Sequence, residues 1–158
     1  MGLFKKKKKA FYAMANGQTV AMEEVPDEVF STKMMGDGIA IKPSEGKVYA
    51  PCDGKITMLM DRTLHAVGIE TEDGIEILIH IGLDTVNLDG VGFTGHVQVG
   101  DEVCVGDLLV SYDKPQLEKD GINDITMLVI VSPQDYQYTD FHINQQVQIK
   151  SSPIIEYK

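Results

Sequence analysis

The chain has 158 residues, 43 % of them hydrophobic, with 14 basic against 24 acidic side chains and a net charge of −10. That length fits one domain able to remove about 68–70 % of its unfolded surface from water, so neither a disulfide nor a metal is needed to make it fold. Without the five lysines at Lys5 to Lys9 the remainder holds 9 basic against 24 acidic groups, a net of −15, which disfavours nucleic acid as a partner and favours basic protein surfaces.

Taken in order, the chain opens with Met-Gly-Leu-Phe and the lysine run. No signal-peptide core follows, and no stretch of about 18 apolar residues occurs anywhere, so a cytoplasmic protein is expected. Residues 1–10 read as a flexible basic tail, with residues 11–158 as a single domain. The tail suits either plain solvation or peripheral contact with anionic lipid, each Lys contributing about 1 kcal/mol near such a surface.

From there short β-compatible runs alternate with Gly, Asp, Pro and Asn. They fall at residues 11–14, 19–22, 38–42, 47–50, 54–60, 64–71, 95–97, 102–105, 107–112, 125–131, 146–149 and 154–157, with 75–86 as the longest alternating stretch. Such spacing predicts an all-β, antiparallel sandwich or barrel-like fold with at most one or two short helices, the best helical candidate being Pro115 to Gly121. Cys52 and Cys104 share no metal or redox spacing and read as reduced packing residues.

The stretch that organises the rest is Ile75 to Val86. Ile75, Ile77, Ile79 and Ile81 alternate with Glu76, Leu78, His80 and Gly82, so the isoleucines take the core and His80 takes the other face. Asp73-Gly74 before it is a strong two-residue hairpin signal. That loop pairs Glu72 with Ile75 and sets Val67 opposite His80, which brings His65 and His80 to one side as diagonal neighbours with Cβ atoms roughly 7–8 Å apart. A loop one residue longer would send them to opposite faces. His96 and His142 read as structural or solvated.

His65 in Thr-Leu-His-Ala, fifteen residues before His80 in Ile-His-Ile-Gly-Leu-Asp-Thr-Val, resembles the active site of the glucose-type enzyme IIA family of the bacterial phosphoenolpyruvate:sugar phosphotransferase system. The likeness also takes in Val25 to Phe30, Met35 to Pro43 and Ala50 to Ile56, and runs from about Tyr12 to Tyr157. It implies a duplicated hybrid motif and a histidine phosphotransferase that works only with protein partners. Those partners would be the phosphocarrier HPr as donor and a sugar-specific enzyme IIB as acceptor.

A neutral imidazole is a competent nucleophile toward phosphorus, and phosphoryl transfer asks chiefly for in-line positioning and charge neutralisation. His80 is accordingly expected as the phosphoacceptor through Nε2, with the carbonyl of Gly82 orienting it as the resemblance implies. His65 is expected to donate a hydrogen bond to the phosphoryl group, and Thr63 to orient His65. The resemblance sets Asp27 and Asp84 at the rim against an arginine of HPr, a turn role being the alternative for Asp27. Val29, Phe30, Met34, Met35, Leu78 and Val86 are expected to form the apolar surround, with core packing as the alternative for each. Leu78 and Ile81 stand where aromatics are frequent in relatives, and Gly54 to Thr63 is one residue longer than the usual spacing.

Three other readings compete with the relay. Ala50 to Ile56 and Val99 to Leu109 also resemble biotinyl and lipoyl carriers, but Met58-Leu59-Met60 has no lysine for a swinging arm. No cofactor is required by the relay. Zinc at His65 and His80 would lack the third protein ligand that catalytic zinc takes, unless a partner's carboxylate supplied it. A regulatory module, docking on transporters or metabolic kinases according to phosphorylation state, is the alternative function.

Overall fold

A computed structural model describes residues 9–158. The isoleucine alternation resolves as a period of two requires, with Ile77, Ile79 and Ile81 at 0–2 % exposure while Leu78 and His80 stay half-buried. Among the described residues fourteen strands form, all pairing antiparallel: β1 (Ala10–Tyr12), β2 (Gly17–Ala21), β3 (Gly38–Pro43), β4 (Lys47–Tyr49), β5 (Gly54–Leu59), β6 (Ala66–Glu70), β7 (Glu76–Ile81), β8 (Phe93–Gly95), β9 (Glu102–Val103), β10 (Leu108–Tyr112), β11 (Thr126–Ser132), β12 (Tyr138–Phe141), β13 (Gln146–Val147) and β14 (Pro153–Tyr157). They build one open eight-stranded sheet, ordered β13-β2-β3-β11-β7-β6-β5-β9, and two three-stranded sheets, β1-β14-β12 and β4-β10-β8. The fold is an all-β antiparallel sandwich in which no sheet closes into a barrel.

The central strands of the large sheet are apolar on both faces. Ile39, Ile41, Ile79, Ile81, Leu128 and Ile130 enter the main core between the sheets. Val20, Ala40, Met127 and Val129 face outward into a second, smaller cluster closed by Met22, Val25 and Phe30. That second cluster explains why β11 is continuously buried from Thr126 to Ile130 instead of alternating. Its cover is the one-turn helix α1 (Glu28–Ser31), which sequence periodicity missed because four residues are too few to show a 3.6 repeat. Asp27 caps α1, its carboxylate accepting from the Val29 N–H at 2.9 Å. The expected helix near Pro115 is α2 (Lys114–Lys119), capped by Asp113 with Pro115 in its first turn.

Several expectations are corrected. The β6–β7 loop has three residues, Glu72-Asp73-Gly74, and Ala66, not Val67, lies opposite His80. A two-residue type I′ turn needs positive φ at both central residues, and here only Gly74 takes it, at +82°. β12 is absent from the expected runs because Asp140 and the polar residues around it interrupt the strand signal of Tyr138, Thr139 and Phe141, and the strand expected at 95–97 sits at Phe93–Gly95. Cys104 is exposed, not buried as a packing residue would be; Cys52 is buried. Within the stretch read as a tail, Lys9 and Ala10 belong to the fold: Tyr157 N–H donates to the Lys9 carbonyl, and Ala10 opens β1. Residues 1–8, and with them the lipid-contact reading, lie outside the described residues.

Candidate functional site

His80 projects from β7 on the face away from the main core, toward the second cluster. Phe30 of that cluster lies against it with ring centroids 4.9 Å apart and planes at 57°, so the aromatic expected as rim is instead a 5 % exposed wall. The Nδ1 of His80 meets the Gly82 carbonyl at 2.9 Å. That carbonyl is aimed by a backbone only glycine tolerates here: Gly82 has φ +75°, and a Cβ would run into the Thr85 methyl. Thr85 is itself tied down, its hydroxyl donating to the Ile81 carbonyl, and the Gly82 N–H donates to the Ile125 carbonyl at 2.9 Å.

His65 arrives by a different route from the one expected. With Ala66 opposite His80, strict alternation would put His65 on the far face. It precedes the first residue of β6, however, and follows Leu64 at φ +57° in a tight turn closed by Leu64 N–H to the Met60 carbonyl. The left-handed residue breaks the alternation, so the two imidazoles meet edge to face with centroids 5.0 Å apart and planes at 84°. Thr63 is in that turn rather than on a strand, yet its Oγ1 sits 2.8 Å from His65 Nδ1.

Around the pair is a depression of about 620 Å³ lined by Asp27, Val29, Phe30, Met35, Leu78, Asp84 and Val86. Asp84 reaches it from a left-handed position that opens the 3-10 turn Thr85–Leu88, not by continuing β7. Met34 is the expected surround residue that does not line it, and stands 74 % exposed. Met58, Met60, Gly68 and Val131 line it as well and went unrecognised. Met58 and Met60 share one parity in the run Gly54 to Met60, a signal that was legible. Val131 required knowing that β11 lies beside β7.

The electrostatics favour neutral imidazoles. Burial, aided by the neighbouring His65, pushes the His80 imidazole down to about 4, against a smaller upward pull from the Gly82 carbonyl and Asp27. Burial also lowers His65. At neutral pH both rings are uncharged, and with Nδ1–H held by Gly82 the His80 lone pair is on Nε2. His96 lies elsewhere, bonded to Ser111 at 2.8 Å, and His142 meets Glu156 at 2.6 Å.

Among the described residues no group of three or more His, Cys, Asp or Glu side chains could hold a metal ion. No helix among them is long and apolar enough to cross a membrane.

Comparison with known proteins places the chain in a family. Residues 9–136 match the family described as phosphoenolpyruvate-dependent sugar phosphotransferase system, EIIA 1. The chain is also similar to the solved structure of glucose permease IIA from Mycoplasma capricolum, with 36 % sequence identity and a TM-score of 0.85 over 96 % of this chain and 97 % of that one. The chain belongs to the EIIA family of the phosphoenolpyruvate-dependent sugar phosphotransferase system, of which it is a phosphoryl-transfer component.

Proposed function

We propose that His80 accepts a phosphoryl group from phosphorylated HPr in the cytoplasm and passes it to a cysteine of a glucose-class enzyme IIB. The observation that carries this is the Gly82 carbonyl on His80 Nδ1, which leaves the Nε2 lone pair of a neutral, half-buried ring as the nucleophile. Nε2 forms its bond to phosphorus as the donor's P–N bond breaks, the electron pair leaving with the donor's nitrogen. In the second transfer a cysteine thiolate takes the phosphorus and the pair returns to Nε2.

His65 is the partner group. With the Thr63 hydroxyl donating to its Nδ1, its proton sits on Nε2 and can bond a phosphoryl oxygen. Asp27 and Asp84 offer the carrier's cation two carboxylates at the rim, while Val29, Phe30, Met35, Leu78 and Val86 exclude water. Asp27 does this while capping α1, so its turn role and its rim role coexist. Zinc enters this scheme only as an ion shared between the two histidines and a partner's carboxylate.

A regulatory reading rests on the same depression. Val29 and Val86 are 40 % and 49 % exposed beside His80, an apolar surface suited to docking on transporters or metabolic kinases while the histidine is unmodified. Phosphorylation would put roughly −1.5 to −2 charges there and oppose that docking.

The test is mass spectrometry after incubation with phosphoenolpyruvate, enzyme I and HPr. Wild type is expected to carry an acid-labile phosphate on His80, His80→Gln none, and His65→Gln a phosphate that is accepted but passed on poorly. Wild type that stays unmodified beside fully phosphorylated HPr would end the relay reading.

A further inference from the structure

The seven methionines of the described residues fall into two sets. Met14, Met22 and Met127 are core residues at 0–1 % exposure. Met34, Met35 and Met60 are 74 %, 38 % and 38 % exposed, and Met58 is half-buried. Three of that second set, Met35, Met58 and Met60, line the depression around His80, although they come from the segment after α1 and from the end of β5. Thioethers therefore stand on two sides of the surface that a phosphoryl partner must cover.

We infer that Met35 and Met60 are oxidation sites through which peroxide slows phosphoryl transfer at His80, a regulation resting on the reading of this face as the docking surface. The chemistry balances without any group from the protein. The thioether sulfur attacks one peroxide oxygen and gives up two electrons, the O–O bond breaks with its pair going to the departing hydroxide, and that hydroxide takes the proton of the attacked oxygen to leave as water, with the sulfoxide remaining. Accessible sulfurs react while buried ones do not, so exposure alone selects this set over Met14, Met22 and Met127. The product replaces an adaptable apolar contact by a strongly polar, chiral S=O, which loses hydration when a partner covers it without supplying a donor. His80, Gly82, His65 and Thr63 are untouched, so the nucleophile stays intact while its access is impaired. Reduction of the sulfoxide restores the surface.

Met34 supplies an internal control, since it is the most exposed of the set yet does not line the depression. The experiment treats folded protein with graded hydrogen peroxide, maps sulfoxides by peptide mass spectrometry, and measures the rate of phosphate acceptance from phosphorylated HPr. Each protein's rate is normalised to that of its own untreated sample. Sulfoxide is expected at Met34, Met35 and Met60 and not at Met14, Met22 or Met127, with acceptance falling about tenfold in wild type. Met35→Leu/Met60→Leu is expected to fall less than about twofold and Met34→Leu as far as wild type, with methionine sulfoxide reductase restoring the wild-type rate. Oxidised wild type that keeps its rate, or a Met35→Leu/Met60→Leu protein that loses as much as wild type, would overturn the inference. Untreated wild type that takes no phosphate would overturn the reading of His80 itself, and that outcome is separable because it precedes any oxidant.

Discussion

His80 and His142 are both half-buried, and each ring is held by a hydrogen bond. The partners differ. The first ring meets a backbone carbonyl at 2.9 Å, against an aromatic wall and beside a second neutral imidazole; the second meets the Glu156 carboxylate at 2.6 Å. A carbonyl fixes the tautomer of a neutral ring and leaves the other nitrogen's lone pair free. A carboxylate instead ties the His142 ring to Glu156, away from the depression that surrounds His80. The difference between the proposed nucleophile and a structural tie therefore lies in what surrounds the ring, not in the ring.

Moving a carboxylate to His80 should erase the difference. Leu78, two residues away on the same face of β7, is the position for it. Leu78→Asp is expected to raise the His80 titration toward or above the ordinary histidine range and to slow phosphate acceptance about 100-fold. NMR titration of the ring alongside the transfer rate checks both, and a ring still titrating near its wild-type position would sink the argument.

The pH dependence of stability gives the next test. Burial pushes His80 down to about 4 in the folded chain, against the ordinary histidine value of 6.5 in the unfolded one. Between those values the unfolded chain binds a proton that the folded one does not, so stability rises with pH through that window and is complete above it. The loss on acidification is on the order of 3 kcal/mol. Denaturant unfolding of wild type and His80→Gln at several pH values should show the two curves diverging as pH falls from about 7 to 4. Parallel curves would mean the ring is not held neutral by the fold.

A smaller effect is expected from Thr63→Val, which removes the hydroxyl on His65 Nδ1 and leaves the His80 carbonyl contact intact. Transfer should slow about tenfold while the fold and the His80 titration stay unchanged. The smallest effect belongs to the contrasting site. Glu156→Gln breaks the carboxylate contact of His142 and should cost about 1 kcal/mol or less in chemical denaturation, with phosphate acceptance within about twofold of wild type.

How much of this was legible before folding differs from residue to residue. The face of His80 followed from the isoleucine alternation, and its likeness to a known active site carried His65, Thr63 and Gly82 with it. The hairpin reasoning that joined the two histidines was off by one residue, because Asp73 does not adopt the positive φ that a two-residue loop demands. The pair meets all the same, through the left-handed Leu64, a local reversal that no periodicity displays. Phe30 illustrates a second limit: from sequence it is one apolar residue among several after a proline, and its place as the wall of His80 depends on a single helical turn folding over the sheet.

Sequence by itself determined the elements whose signal is periodic or chemical: the β-rich class, the inward isoleucines of β7 and the net acidic charge; its likeness to a known active site singled out the ring proposed to react. Only the tertiary structure decided which carbonyl, aromatic and thioether stand around that ring. Those neighbours come from α1, the turn before β6, the end of β5 and the turn after β7, segments joined by sheet pairing across the chain rather than by proximity along it. Burial is what lowers the ring's proton affinity, and burial is a property of the assembled cluster, absent from any one of the stretches that compose it.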